Sequence, residues 1–363
     1  PSRNCFGAHR VPPDREERPT MHAVFIREHG PLDAIRFGEL PDPVPGPGQV
    51  RIRLRAGALN HLDIFVRNGI PGIPVPLPHV LGADGAGVVD SLGPGVARVV
   101  VGDEVVLNPG IHCGSCEFCL RGEHSLCVTF HLVGEHIAGT FAEHVVVPAV
   151  NAYPKPKGLT FEEAAAFPLT FLTAWRMLVT KARARPGESL LILGIGGGVS
   201  LAALAIGKLL GLSVGVTSGS PEKLDRAREL GADFTIDHAA TDFAREARRI
   251  TGKRGVDIVL DSVGKATWKQ SIAALARGGR LVTCGATTGP NPETDIARIF
   301  WNQLTIYGST MGTHGEFAEM LRMFHDGRLR PVVDSVFPLS QAKEAFRKLE
   351  EKRQFGKIVL RIE

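Results

Sequence analysis

The sequence predicts an α/β protein with two domains, of which the first is β-rich and the second is a doubly wound parallel sheet. The 363 residues exceed the roughly 100 to 200 residues of a single domain. Short β-rich runs separated by Gly and Pro fill residues 21–147, and this punctuation excludes long helices there. After Leu169, strand and helix patterns alternate, which is typical of βαβ units with helices on both faces of a sheet.

The individual elements follow from the same patterns. Strands are predicted in the first half at HAVFI, QVRIRLRAGAL, DGAGVVDSLG, GDEVVL and TFAEHVVV. The second half contains the strand patterns SLLIL, SVGVT, DFTID, VDIVLD, GRLVTC and, as a sixth strand, QLTIYGS. Helices are predicted at 199–210, 221–230, 241–251 and 266–276, followed by helices near 317–324 and 340–349 and a final strand KIVLRI.

Composition and charge exclude several classes of partner. The net charge of +4 is small, and basic and acidic residues are interleaved, so nucleic acid is not an expected partner. The longest apolar stretch, 199–212, contains Lys208 and is shorter than the ~20 residues of a membrane span, so it indicates a buried helix. Residues 1–20 lack the apolar core of a signal peptide and are interpreted as an extension, which favours a cytoplasmic location.

Four cysteines lie within fifteen residues, as Cys113, Cys116, Cys119 and Cys127 in a C-x2-C-x2-C-x7-C pattern. In a reducing compartment clustered cysteines indicate a metal more often than disulfides. Four thiolates close the shell of a tetrahedral Zn²⁺ and leave no position for a substrate, so the predicted ion is structural. The alternatives are reduced cysteines without metal, or one iron. Cys5 and Cys284 have no partners in the sequence, and Cys284 falls in a predicted core strand.

A glycine-rich turn, GIGGGVS at 194–200, joins a predicted strand to a predicted helix. Such a turn lets backbone N–H groups and the helix N-terminus meet a pyrophosphate, which indicates a dinucleotide; a tight turn without a ligand is the alternative. The next strand ends in Ser218, Gly219 and Ser220, without the acid that would bind ribose hydroxyls. Lys223 and Arg226 follow, and cations suit a 2′-phosphate, so NADPH is favoured over NADH unless both belong to a solvated helix face.

Taken together, these motifs resemble the medium-chain dehydrogenase/reductase superfamily, which contains zinc alcohol dehydrogenases and zinc-free quinone oxidoreductases. The resemblance runs from Met21 through PDPVPGPGQVRIRLRAGALNHLD, LGADGAGVV, the cysteine lobe, a helix at AAAFPLTFLTAW, the glycine turn and FGKIVL. It implies a GroES-like catalytic domain over 21–168, with the zinc lobe at 108–130, a Rossmann domain over 169–307, and a return to the catalytic domain over 308–363. With the glycine turn, it places the cofactor against Thr173, Gly194, Gly196, Gly197, Gly198, Val199, Ser218, Lys223, Gly285, Ser309 and Lys357.

The resemblance breaks at the catalytic metal. Zinc alcohol dehydrogenases have Cys where this sequence has Asn60, His–Glu where it has Ala83 and Asp84, and a second Cys near Pro168. The sequence therefore predicts no catalytic zinc. The alternative is a rearranged metal site, formed from residues of the same region: His61, His79, Asp63 and Asp84.

Two further features separate this sequence from either branch of the superfamily. NHLD and PLTFLTAW are similar to the quinone branch, but that branch commonly lacks the cysteine lobe, so the pattern is a hybrid. Ile195 replaces the first Gly of the alcohol dehydrogenase turn, and the turn fits an A-x-x-G-x-x-G variant with Gly194, Gly197 and Ser200 at its three positions.

Without a metal, hydrogen-bond donors must stabilise the charge that develops on the substrate oxygen during hydride transfer. The candidates are the Asn60 amide, the Thr170 hydroxyl and, as a proton source, His61. Their simpler alternatives are a helix cap for Asn60, a turn-orienting role for Asp63 and core packing for His61.

The predicted function is NADPH-dependent reduction of a ketone, aldehyde, enone or quinone. A zinc-assisted alcohol dehydrogenase and a non-catalytic redox sensor are the alternatives. The expected substrate is a small molecule, and the edge strand LTIYGS predicts a homodimer or homotetramer.

Overall fold

Two main sheets organise residues 19–363, the part of the chain described by this computed structural model. Seven strands form the first, largely antiparallel sheet: along its path lie Ala152–Pro154, Glu104–Leu107, Asp84–Leu92, Gln49–Ala58, Lys357–Arg361 and Val333–Pro338, and His144–Pro148 pairs with Gln49–Ala58 off this path. A smaller sheet has three strands, in the order Ile35–Pro41, Thr20–Ile26 and His79–Val80. Another has two strands, Gly110–Ile111 and His131–Leu132. Short helices lie around these strands, at His61–Asn68, Glu117–Leu120, Phe161–Ala165, Pro168–Trp175 and Ala342–Glu350.

The second sheet is parallel throughout, and its strand order is the doubly wound order 3-2-1-4-5-6. Its strands, from edge to edge, are Phe234–Asp237, Ser213–Ser218, Ser189–Ile192, Val256–Asp261, Leu275–Thr283 and Thr305–Gly308. The helices of this half are Gly198–Leu209, Pro221–Glu229, Phe243–Ile250, Trp268–Ala274, Ile296–Trp301 and His314–His325. The predicted fold, a GroES-like β-rich half with a Rossmann sheet, is confirmed.

Several boundaries differ from the prediction for local reasons. The helix expected across AAAFPLTFLTAW divides at Pro168, because proline has no N–H to continue the first helix and instead begins the second. The helix expected from residue 317 begins earlier, because the Thr313 hydroxyl accepts the N–H of Glu316 at 3.1 Å and so caps it. The strand Val333–Pro338 and the helix Ile296–Trp301 were not predicted.

Other differences concern chain ends. Thr20 already belongs to the first strand, inside the predicted extension 1–20. Residues 1–18, with Cys5, lie outside the described residues. The strand that was expected to hold Cys284 ends at Thr283. The division at 168/169 and 307/308 stays a prediction. No helix in residues 19–363 is long and apolar enough to cross a membrane.

One hydrophobic core joins the two halves. Phe171 and Leu172, from the helix Pro168–Trp175, are buried in the same cluster as Leu190 and Ile192 of the parallel sheet. The helix Pro168–Trp175 packs against Gly198–Leu209, the helix that follows the glycine turn. The glycine turn is therefore held at a fixed position against the first half, and the two halves enclose a cleft.

Candidate active site and zinc lobe

The four-cysteine lobe has the geometry of a metal site. The Sγ atoms of Cys113, Cys116, Cys119 and Cys127 all lie within 4.8 Å of one another. Cys119 Sγ is 3.9 Å from Cys113 Sγ and 3.5 Å from Cys116 Sγ. Four sulfurs at Zn–S bonds of about 2.3 Å would be about 3.8 Å apart, so the donor set fits zinc without rearrangement.

Hydrogen bonds and burial shift the pKa values of the Cys113 and Cys119 thiols in opposite directions. Backbone N–H groups of Ser115 and Cys116 donate to Cys113 Sγ, and these bonds lower its pKa to about 5. Burial of Cys119, in contrast, raises the pKa of its thiol to about 12. A positive ion among the four thiolates would stabilise their charges together, and a structural zinc would supply it.

The glycine turn is open to a ligand and requires glycine. Gly194 and Gly196 have φ of +68° and +114°, and a Cβ at Gly194 would meet nothing within 4 Å. A Cβ at Gly198 would lie 2.6 Å from Thr170 Cγ2 and 3.0 Å from Lys357 Cδ. The helix Gly198–Leu209 begins without a side-chain cap at Gly197, so side chains of the described residues do not occupy its first N–H groups, the groups that bind a pyrophosphate in such turns.

Lys223 stands beside this turn. A Cβ added to Gly196 would lie 3.0 Å from Lys223 Cδ. The Lys223 ammonium donates to the carbonyl of Lys352 at 2.6 Å. Arg226 lies over the Phe355 ring, with its guanidinium carbon 4.1 Å from the ring centroid. Ser218 Oγ accepts the N–H of Ser220 at 3.1 Å. Lys223 therefore lies beside the glycine turn, and the predicted contacts of Lys223, Arg226 and Ser218 with the ribose of the cofactor stay predictions.

A buried ion pair occupies the position that the sequence matched to the catalytic metal. Lys357 Nζ lies 2.6 Å from Asn60 Oδ1 and 3.0 Å from Asp84 Oδ2. Asn60 Nδ2 donates to the same Asp84 oxygen at 2.9 Å, while Asp84 Oδ1 accepts the N–H of Leu169 at 2.8 Å. Asp84 is 0% exposed and Lys357 5% exposed. The Asn60 amide is therefore engaged with its neighbours in this geometry, and it is also the N-cap residue of the His61–Asn68 helix.

His61 and Asp63 flank this pair. Asp63 is fully buried, and Asp63 Oδ2 accepts the N–H of Asn60 at 2.7 Å. Burial raises the pKa of Asp63 to about 7. The His61 side chain reaches solvent, but the protein around it and the charges of Lys357 and Lys352 lower its pKa. His61 is thus a neutral imidazole near pH 7, a form that can both give and take a proton.

A cavity of about 820 Å³ lies between the zinc lobe and the parallel sheet. Gly285 and Ser309 line it from the sheet, and Ser125 and Leu126 line it from the lobe. The Ser309 hydroxyl is buried and has no hydrogen-bond partner among residues 19–363, so it can bind a polar group of a ligand. Cys284 also lines the cavity, and burial raises the pKa of its thiol to about 12.

Two threonines from the helix Pro168–Trp175 were predicted at the site, and Thr170 lies against Gly198 of the glycine turn. Thr173 Oγ1 is committed to the carbonyl of Leu169 at 2.7 Å. Thr170 is 4% exposed, and its hydroxyl makes only a long contact of 3.5 Å, to the carbonyl of Phe167. Thr170 therefore keeps a donor that a substrate oxygen could use.

The residues suggested for a rearranged metal site do not come together as one ligand set. His79 Nε2 contacts the carbonyl of Gly134 at 3.1 Å, and Asp84 binds Lys357. Within residues 19–363, the four cysteines are the one group of three or more His, Cys, Asp or Glu side chains with ligand atoms this close.

Sequence reasoning missed two parts of the site. Gln354 is 4% exposed, and its Oε1 has no partner; its backbone lies against Gly196. Arg176 is 2% exposed and lines the cleft, where it binds Glu316 at 2.7 Å and Glu123 at 2.9 Å. No local pattern marks either residue, since both acquire their role through contacts distant in sequence.

Comparisons with known proteins place the chain in a family. A model described as "Alcohol dehydrogenase GroES-like domain" matches residues 46–157, and one described as "Zinc-binding dehydrogenase" matches residues 198–326. A zinc-type alcohol dehydrogenase-like protein of Schizosaccharomyces pombe is 35% identical over 90% of this chain and 94% of its own length.

Solved structures agree with this placement. A crystal structure of an NAD-dependent alcohol dehydrogenase is 50% identical, with a TM-score of 0.91, over 94% of this chain and 100% of its own. A crotonyl-CoA carboxylase/reductase in complex with NADP is 26% identical, with a TM-score of 0.89, over 94% of this chain and 95% of its own. The chain is therefore an oxidoreductase that belongs to the medium-chain dehydrogenase/reductase superfamily, as a relative of the zinc-type alcohol dehydrogenases.

Proposed function

We propose that this oxidoreductase uses NADPH to reduce a carbonyl, or an alkene conjugated to a carbonyl, without a catalytic zinc. The observation that carries the proposal is the buried contact of Lys357 with Asn60 and Asp84. Asn60 stands where the zinc enzymes of the family have a cysteine ligand, and Asp84 follows the position of their histidine ligand. The Lys357 ammonium already neutralises the Asp84 carboxylate there. A second cation at this position would be repelled by Lys357.

The residues of the cleft support hydride transfer to a polarised substrate. When bound, the reduced nicotinamide supplies a hydride. The turn at 194–200 holds the pyrophosphate, and Ser309 binds a polar group at the nicotinamide end. Thr170 donates a hydrogen bond to the substrate oxygen. His61 relays the proton: one ring nitrogen gives its proton to the substrate while the other takes a proton from water, and the hydroxide formed is neutralised by solvent. An enone spreads its negative charge over an enolate, so these donors suffice more readily for it than for a simple ketone.

The names of related proteins support both the proposed enone reduction and the alternative of an alcohol dehydrogenase. The NADP complex belongs to a protein named for crotonyl-CoA, an alkene conjugated to a thioester carbonyl, which supports the enone proposal. The 50% identical structure is of an NAD-dependent alcohol dehydrogenase, which supports the zinc-assisted alternative.

Turnover of purified enzyme with a matched substrate pair separates the two. We expect NADPH oxidation with cyclohexenone or a benzoquinone to exceed that with cyclohexanone by at least about tenfold in kcat/KM, a difference of ~1.4 kcal/mol in activation free energy. Elemental analysis should give one zinc per chain. Two zincs per chain, with alcohol oxidation by NAD⁺ as the faster reaction, would refute the proposal and establish zinc-assisted chemistry. Absence of turnover with every acceptor would favour the redox sensor.

The preference for NADPH is testable at Lys223. In Lys223→Ala, we expect the KM for NADPH to rise by about tenfold, because one charge-assisted contact to the 2′-phosphate is lost. The KM for NADH should change little. Arg228→Ala is the matched control, since Arg228 lies on the same helix but pairs with Asp225. An equal rise for both cofactors would show that Lys223 supports the turn and does not select the phosphate.

We also propose that the enzyme is a homo-oligomer. Thr305–Gly308 is an edge strand of the parallel sheet. Beside it, Ile296, Phe300 and Trp301 are 64–71% exposed, which is an apolar surface that a second copy would cover.

A further inference from the structure

A second cavity, of about 680 Å³, lies in the parallel-sheet half and is lined by cations. Five of its lining side chains are basic: Arg248, Lys253, Arg254, Arg277 and Arg298. The other lining residues are Ala276 and Asn302, so the described part of the chain places no carboxylate in the cavity lining. Basic side chains usually lie among acidic ones on a protein surface, and a concave group of one sign attracts and concentrates ions of the opposite sign.

Few of these charges are neutralised by the protein itself. Arg254 pairs with Asp257, outside the cavity lining. In the part of the chain that the structure describes, the other four make no ion pair within 4.0 Å. Arg249, the neighbour of Arg248 on the same helix, does pair, with Glu246 at 2.7 Å. Four cations without a carboxylate partner among the described residues therefore line one cavity.

Arg248 is held in place before any ligand arrives. Its guanidinium donates to the carbonyls of Ala273, Lys253 and Leu275, at 2.9, 3.0 and 2.8 Å. Burial and the charge of Arg298 lower the pKa of Arg248, so the two guanidiniums repel each other across the cavity. A fixed cation that is destabilised by its neighbours gains most from a bound anion.

The cavity is separate from the catalytic cleft. Lys253 and Arg254 come directly before the strand Val256–Asp261, and Arg277 lies near the start of Leu275–Thr283. These positions mark the amino ends of the parallel strands. The glycine turn follows the carboxyl end of Ser189–Ile192, at the opposite side of the sheet, where the cofactors of such sheets bind.

We propose that this cavity is a binding site for a small multivalent anion that carries phosphate groups. The planar guanidinium forks of Arg277 and Arg298 match the geometry of phosphate oxygens, and Arg248 adds a positive charge that is fixed by its carbonyl contacts. The volume lies within the ~300–1,000 Å³ of small-molecule sites, and the spread of cations suits two or more phosphates. The proposed reduction does not use this site, so the proposal of an anion site and the proposed function are tested independently.

Isothermal titration with inorganic pyrophosphate tests the site on the intact enzyme. We expect one pyrophosphate to bind per chain, also when NADPH occupies the glycine turn. The affinity for this pyrophosphate should fall as the NaCl concentration rises. In Arg277→Gln/Arg298→Gln, the dissociation constant for this pyrophosphate should rise by at least about tenfold. Arg249→Gln, on the same helix as Arg248 but outside the cavity, should bind as the wild type does.

Thermal unfolding shows whether the double variant Arg277→Gln/Arg298→Gln is still folded. Since the double substitution removes like charges, its Tm without anion should equal or exceed that of the wild type. A raised Tm with weakened pyrophosphate binding supports the site. Unchanged binding by the double variant, or loss of all binding once NADPH is present, would overturn it, because the anion would then occupy the cofactor turn alone.

Discussion

Replacement of Cys116 by serine should remove the zinc, from one equivalent per chain to none. A serine hydroxyl is a far weaker ligand than a thiolate, and the remaining three sulfurs would be left as a partly buried, mutually repelling set. Because structural zinc contributes free energy directly to folding, we expect the lobe to open and the Tm to fall by about 10 °C or more. Elemental analysis and thermal unfolding measure the two effects.

Ser115→Ala is the matched control. Ser115 lies in the same loop, and its backbone N–H, which donates to Cys113 Sγ at 3.5 Å, survives the substitution. This variant should keep its zinc and its Tm within a few degrees. Retention of a full equivalent of zinc by Cys116→Ser would show that the ion is held elsewhere, and loss of zinc by both variants would show general instability of the loop.

Replacement of Lys357 by methionine should destabilise the protein by about 3–5 kcal/mol, because it leaves the Asp84 carboxylate charged and buried without its partner. Asn60 and the Leu169 N–H would still donate to Asp84, so the loss stays below that of an isolated ion. Cofactor affinity should fall as well, since Lys357 lies against Gly198 of the turn. Urea unfolding and cofactor titration measure these changes.

A double-substitution cycle tests the cause. Lys357→Met combined with Asp84→Asn removes both charges, so the free energy of unfolding should recover by about 2 kcal/mol relative to Lys357→Met. A double variant as unstable as the sum of its two single variants would show that packing, and not the ion pair, accounts for the loss.

The sequence predicted the fold well because its signals are local. Alternating strand and helix patterns, the glycine turn and the cysteine spacing each depend on a few consecutive residues. What it missed depends on contacts between distant segments. The strand Val333–Pro338 has its partner at Lys357–Arg361 and a partly exposed surface, so its pattern is weak.

In the candidate site, too, the sequence predicted features of consecutive residues and missed contacts between distant segments. Lys357 was placed at the cofactor, but its contacts with Asn60 and Asp84 join residues about 300 positions apart, beyond any spacing rule. The Asn60 amide was proposed as a donor to substrate, and in the structure it donates to Asp84. Composition alone could not foresee this, because an Asn beside a buried carboxylate and an Asn facing a substrate have the same sequence signature.

The position of Lys357–Arg361 inside the first sheet, between Gln49–Ala58 and Val333–Pro338, has a consequence for biosynthesis. The ribosome releases the amino-terminal strands first, yet their sheet lacks an interior member until residues 357–361 emerge. The parallel sheet, whose strands run from Ser189 to Gly308, is complete in the nascent chain earlier. The parallel sheet can thus be completed first, whereas Val333–Pro338 has no partner strand in the first sheet until residues 357–361 have left the ribosome.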